Sequence, residues 1–247
     1  MKIDLYTLCW NEMDILPFVV DYWKKLPIEK AVVYDNGSTD GSIEYLKQFD
    51  WIEVRHFETE GMNDAVQRDI KNSCWKESIG KCDFVVVCDM DEILYSKNIE
   101  KELQDMKDNG YTICTPKWYD FISEERPTYT KGKLLHEIKE RAYKGNSKAI
   151  LFSPNEIKEI NYSVGAHTCN PRGNVKYYDG KLYALHINKH FSLKYLLGKY
   201  KELNNRQSAT NRKNRWCIHY AFSEEKLRKY YEDNLKKSIN FNELVNQ

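Results

Sequence analysis

The stretch Phe84-Val85-Val86-Val87-Cys88-Asp89-Met90-Asp91-Glu92-Ile93-Leu94 constrains this chain most. Its first half is apolar and β-branched, as in a strand buried on both faces near the middle of a parallel sheet. It then meets three carboxylates in four residues. If extended geometry lasts to residue 91, Asp89 and Asp91 point to the same side. Two carboxylates aimed at one point repel unless a cation lies between them. Hard divalent cations take oxygen ligands, so the spacing predicts Mg²⁺ or Mn²⁺. A solvated strand end gives the same spacing, but a buried strand running straight into it favours a site. In open α/β sheets, ligands bind beyond the carboxyl ends of the strands.

The residues before this stretch alternate. Ile3 to Leu8 reads as a strand, and Ile15 to Leu26 as a helix that Pro27 ends. Lys30 to Tyr34 is a second strand. A turn cluster follows, with Thr39 or Asp40 as the expected N-cap of the next helix. Trp51 to Arg55 is a third strand, and Asn63 to Trp75 a helix. Four strands separated by helices imply a parallel sheet with right-handed crossovers. Beyond Asp91 the pattern loosens. A helix is expected over Asn98 to Asn109, with strands at Tyr111 to Thr115, Lys148 to Phe152, Ile157 to Gly165 and Lys181 to Ile187. The charged, weakly periodic residues 122–147 read as a mobile loop. Helices follow from Ser192 and from the N-cap Ser223, and Lys199 to Arg215 is strongly basic.

Net charge is +1 over 247 residues, which gives no overall field for nucleic acid. No apolar run approaches the ~20 residues that cross a bilayer, and no signal-peptide pattern opens the chain. The seven cysteines form no C-x-x-C pair, so reduced thiols in a cytoplasmic compartment are expected.

The second strand runs into Asp35-Asn36-Gly37-Ser38-Thr39-Asp40-Gly41-Ser42. A capped turn accounts for residues 38–41. Asp35, at a strand end, also points toward the carboxyl-end crevice, where it can accept hydrogen bonds from a base or ribose. Asn11-Glu12 after strand one, this turn after strand two and Asp89-x-Asp91 after strand four occur in an order that resembles the GT-A glycosyltransferases of families 2 and 92. The resemblance is strong over residues 1–95 and loose beyond.

The resemblance implies a GT-A-type α/β/α sandwich with a mostly parallel central sheet and C-terminal helices that pack beside it or mediate self-association. One domain is expected over 1–247, with a nucleotide-sugar half (1–95), an acceptor half (96–190) and a helical segment (191–247). It implies transfer of a sugar from a nucleoside diphosphate sugar to a hydroxyl of a glycan or other acceptor, with inversion. Asp35 and Asn36 suit a pyrimidine-ribose pocket, hence a UDP-sugar. Asn11, Glu12 and Gln67 would line the nucleotide pocket. Asp89 would meet ribose, sugar or metal, and Asp91 the metal, Mn²⁺ or Mg²⁺. His167 or His186 would add an imidazole ligand. Asp120 is the expected general base, with Glu92, Glu124 and Glu125 as competitors and Glu92 also able to brace the metal site. Peripheral membrane contact and homo-oligomerisation are compatible with the chain. Two rival readings are a non-catalytic nucleotide-sugar or glycan-binding protein and a haloacid-dehalogenase-like phosphatase. The latter shares the string Asp89-Met90-Asp91-Glu92-Ile93-Leu94 but carries it on its first strand.

Overall fold

A computed structural model describes residues 1–133, 141–187 and 192–244. In chain order the elements are β1 (Ile3–Cys9), α1 (Leu16–Trp23), β2 (Ile28–Asp35), α2 (Ser42–Leu46), β3 (Ile52–His56), α3 (Asp64–Ser73), β4 (Phe84–Asp89), β5 (Glu92–Tyr95) and α4 (Ile99–Asp108). Five short strands and β7 follow: β6 (Ile113–Cys114), β7 (Lys117–Ile122), β8 (Arg141–Lys144), β9 (Leu151–Phe152), β10 (Ile157–Glu159) and β11 (Arg172–Gly173). The chain continues through β12 (Tyr177–Tyr178), β13 (Tyr183–His186), α5 (Leu193–Arg206), α6 (Ala209–Asn214), α7 (Glu224–Lys237), β14 (Ile239–Asn240) and α8 (Phe241–Leu244).

The larger sheet has the order β12-β6-β9-β4-β1-β2-β3, and within it β9 alone runs against its neighbours. All seven residues of β1 are buried, as a strand covered on both faces requires. The first four strands lie side by side, as expected. The order also reverses at β1: the chain passes from β1 to β2 and β3 on one side, then returns to set β4 on the other. A crevice opens at such a reversal, beyond the carboxyl ends of the two strands. Leu8 pairs with Asp89 there, and Cys9 with Asp35.

A second sheet, β14-β8-β7-β13-β5, was not foreseen. The chain leaves the first sheet at Asp89, turns through Met90 and Asp91, and enters the second at Glu92. Asp91 therefore does not continue the strand of Asp89, and strand alternation is not what brings the two carboxylates together. The expected loop over 122–147 contains β8, which pairs with β7 and β14. Residues 134–140 of that loop lie outside the described residues. The expected strand over Ile157 to Gly165 is shorter, because the chain turns through a 3₁₀ segment at Val164–Ala166.

Asn63, Asn98, Ser192 and Ser223 each cap their helices with a side-chain oxygen. At α2 the N-cap is Gly41 in the left-handed region (φ 92°), and Asp40 instead accepts from Ser42 N–H at 3.0 Å. The helices α5 and α7 enclose their own apolar cluster of Ile122, Leu196, Tyr200, Leu227 and Tyr231.

Glu77 ties the first sheet to the 3₁₀ turn after α3. It accepts from Arg55 at 2.9 and 3.1 Å and from Lys30 at 2.8 Å. Burial alone would raise its pKa, but the two cations outweigh that and lower it to about 2. A lowered carboxylate pKa stabilises the fold above the unfolded value of about 4.3 and loses that contribution as pH falls through the folded value. Thermal melts from pH 5 to pH 2 should show a falling Tm, and Glu77→Gln should flatten part of that slope. An unchanged slope would remove this role from Glu77.

Candidate active site

A cavity of about 280 Å³ opens at the crevice. Its walls include Trp10 and Glu12 after β1, Asn36 after β2, Gln67 and Lys71 on α3, residues 89–92, Asp120 on β7, Lys148, His167, His186 on β13, and Lys199 and Arg206 on α5.

Lys71 donates to Asp89 Oδ1 at 2.5 Å, and Lys148 donates to Asp89 Oδ2 at 3.0 Å. Lys148 also binds Glu92, whose second oxygen accepts from the Asp89 N–H at 3.0 Å. Lys71, Lys148 and Glu92 are buried. Burial opposes the charge on Asp89, but the two ammonium groups outweigh it and hold that carboxyl well below the usual carboxylate range. Burial pushes Glu92 upward, with Lys148 opposing. Asp89 and Glu92 are thus neutralised by lysines, and both oxygens of each are engaged.

The second sheet supplies another row. In register, His186 pairs with Glu92 on β5 and with Asp120 on β7, so the three residues align across three strands. His186 lies between two carboxylates, with Nδ1 2.8 Å from Asp120 Oδ1 and Nε2 3.0 Å from Asp91 Oδ2. Burial disfavours the imidazolium, yet Asp91 and Asp120 prevail and raise its pKa to about 10. Trp118 Nε1 donates to the same Asp120 oxygen at 3.3 Å. Gly145 leaves room for this pair: a Cβ there would lie 2.5 Å from the Trp118 ring and 2.6 Å from Asp120 Oδ2.

Asp91, Glu92 and His186 each offer an atom within 4.8 Å of the others. Glu92 is committed to Lys148, so Asp91 and His186 are the donors best placed for a divalent cation. Asp120 fits such a site. A proton kept on Nδ1 and donated to Asp120 leaves Nε2 as a ligand, the usual carboxylate–histidine–metal arrangement. A carboxylate suits hard cations such as Mg²⁺ and Mn²⁺, whereas an imidazole suits softer transition metals.

The other expected residues are placed as follows. His167 and Gln67 line the cavity, but His167 is not in the cluster with Asp91 among the described residues. Glu12 lines it too; Lys199 donates to its carboxylate at 3.2 Å, while burial prevails and raises its pKa to about 8. Asp35, expected to meet the base or ribose, and Asn11, expected to line the nucleotide pocket, are not among the residues that wall this cavity. Asp35 accepts from the N–H groups of Gly37 at 3.1 Å and Ser38 at 3.0 Å, and Asn11 accepts from Thr39 N–H at 2.8 Å. Both hold the turn cluster in shape. Asp120 reaches the site by pairing with β13, not by running beside β4. Sequence reasoning missed Lys71, Lys148, Arg206 and Trp10. The i, i+3, i+4, i+7 spacing of Asp64, Gln67, Arg68 and Lys71 marks a polar face of α3 toward the cavity, but no comparable signal marks Lys148.

Residues 6–168, more than half the chain, match the profile of "Glycosyl transferase family 2", and the chain belongs to this family of glycosyltransferases. Solved structures similar in shape include S. aureus TarS 1–349 (14% identity, 91% of this chain and 73% of that chain, TM-score 0.47) and TarS 1–349 in complex with UDP (14%, 91% and 73%, TM-score 0.48). A further TarS structure is also 14% identical with a TM-score of 0.47, and the chain covers 43% of its length. Among curated proteins none matches the chain.

Removing Lys148 would leave two carboxylates short of a cation. Breaking a buried ion pair from one side costs about 3–5 kcal/mol. Urea unfolding of Lys148→Met should show a loss of that order, and Lys148→Met/Glu92→Gln should lose less than the two single variants together. Additive losses would mean that the pair is not coupled.

Proposed function

We propose that the chain transfers a sugar from a nucleoside diphosphate sugar, a UDP-sugar, to a hydroxyl-bearing acceptor, with inversion and with the help of a divalent cation. The observation that carries this reading is the Asp91–His186–Asp120 chain at the reversal of strand order, in a chain that belongs to this family. Asp91 and His186 would hold the cation, which when bound would supply charge that stabilises the departing diphosphate. Lys199, bonded to Glu12 and to the Asn11 carbonyl at 3.0 Å, adds a cation of the protein's own. Trp10, Asn36 and Gln67 would line the nucleotide side, with Asp35 and Asn11 holding the turn beneath.

Asp120 is our candidate base, taking the acceptor proton as the hydroxyl attacks in one displacement. It also orients His186, and the two duties are separable. The seven free thiols suit a reducing, cytoplasmic setting, and none of the described helices is long and apolar enough to cross a membrane. Because α5 lines the same cavity as β1 and β4, we take the chain as one catalytic unit.

A panel of nucleotide sugars assayed for diphosphate release tests the reading. UDP-sugars should turn over, and EDTA should abolish the rate. Asp91→Asn and His186→Ala should each weaken Mn²⁺ binding in a titration followed by electron paramagnetic resonance. Asp120→Asn should lower kcat by about 10²–10⁴-fold with UDP binding kept. If it weakens Mn²⁺ binding equally and spares the rate at saturating metal, Asp120 serves only to orient His186. Retained anomeric configuration in the product would overturn inversion.

A further inference from the structure

Arg206, near the end of α5, lies outside the family-matched residues yet lines the cavity. Its guanidinium carbon is 4.0 Å from the centroid of the Trp10 ring, a stacked cation–π geometry. Nη2 donates to the Asn36 carbonyl at 2.9 Å and to the Asn36 side-chain oxygen. Nε and Nη1 make no hydrogen bond among the described residues, and no carboxylate there lies within ion-pair distance. This half-buried cation therefore keeps free donors in a cavity.

Its position is built from both ends. The Arg206 carbonyl accepts from Met62 N–H at 2.6 Å, and Ser208 N–H donates to the Met62 carbonyl at 3.0 Å. The close approach requires Gly61, where a Cβ would lie 2.1 Å from that carbonyl oxygen. Asn36 is largely engaged: one N–H of its amide donates to the Phe57 carbonyl at 3.2 Å, and its oxygen accepts from Thr59 at 3.1 Å as well as from Arg206. Asp35 likewise accepts from N–H groups of the turn. The polar residues expected to read the base thus also hold the loop and the arginine, and the arginine adds donors of its own.

We infer that Arg206, stacked on Trp10, recognises the base of the donor nucleotide and selects bases that present carbonyl oxygens. The inference rests on the proposed nucleotide-sugar reading. Uracil offers two carbonyl acceptors. Adenine has no carbonyl oxygen: its acceptors are single ring nitrogens, and N1 and N7 each lie beside the amino group, a donor that faces a guanidinium unfavourably. Burial lowers the Arg206 pKa to about 10, so the side chain stays charged at neutral pH.

Isothermal titration of the full chain with UDP and with ADP tests this. Wild type should bind UDP more tightly. A charged hydrogen bond is worth about 1.5–3 kcal/mol, so Arg206→Ala should weaken UDP by roughly 10-fold or more and bring the UDP:ADP ratio toward one. Arg206→Lys keeps the charge without the planar face and should restore only part. The clasp to Met62 uses backbone atoms, so Arg206→Ala should keep its fold by circular dichroism; if it does not, Arg206→Gln and Arg206→Lys carry the test. UDP affinity unchanged in the variants, or weakened with the UDP:ADP ratio intact, overturns base recognition while leaving the donor reading in place. A wild-type chain that binds neither nucleotide overturns the donor reading itself.

Discussion

The site depends on two buried lysines. Asp89, Asp91, Glu92, Asp120 and Glu12 all border one small cavity. Bringing that much negative charge together in a low-dielectric crevice would cost several kcal/mol per ion without compensation. Lys71 and Lys148 compensate Asp89 and Glu92, His186 sits between Asp91 and Asp120, and Lys199 faces Glu12. The arrangement is selective. Lysines bind tightly where the chain passes from one sheet to the other, and a titratable imidazole stands where a cation would enter. Asp89 is thereby anchored by two lysines, while Asp91 is left facing the imidazole.

The geometry behind this division is a junction of two sheets. β4 delivers Asp89 at the reversal of the parallel sheet, and three residues later β5 starts in a second sheet. Because β13 lies between β5 and β7, the register that pairs His186 with Glu92 also pairs it with Asp120. A one-residue slip of β13 would move His186 to the opposite face and bring a neighbour, Leu185 or Ile187, into its place. Both neighbours are fully buried, so apolar packing holds the register on which the polar row depends. Core and site are one constraint here.

This division explains what could be read from the sequence. The β-α alternation through β4 was legible because local signals agree: apolar runs of strand length, Pro27 as a stop, and the caps Asn63 and Asn98. Ser192 and Ser223 fixed helix starts in the same way. The second sheet was not legible. Its strands are short, β8 has a mostly exposed pattern, and β13 finds its partners about 65 and 90 residues away by packing that no local periodicity encodes. The carboxylates at residues 89–92 announced a site because several acids after a buried strand need a reason. Lys148 gave no such notice, since a lysine before an apolar strand reads as an ordinary surface residue until its partners are known.

The same logic bears on the turn after β2. Its residues look like a ligand cradle because Asp, Asn, Gly and Ser are the types that bind nucleotides. They are also the types that form tight turns, and composition alone cannot separate the two uses. The hydrogen bonds show the turn-forming use. Asp35, Asn11 and Asp40 each spend their oxygens on backbone N–H groups of the turn or its neighbours. Such a turn is rigid and leaves few polar groups to offer. Further donors on the cavity wall come from α5, whose residues Lys199, Leu203 and Arg206 share one helical face. A scaffold that consumes its own polar groups for stiffness depends on a distant helix for chemistry, and the backbone clasp between Met62 and residues 206–208 keeps that helix in reach.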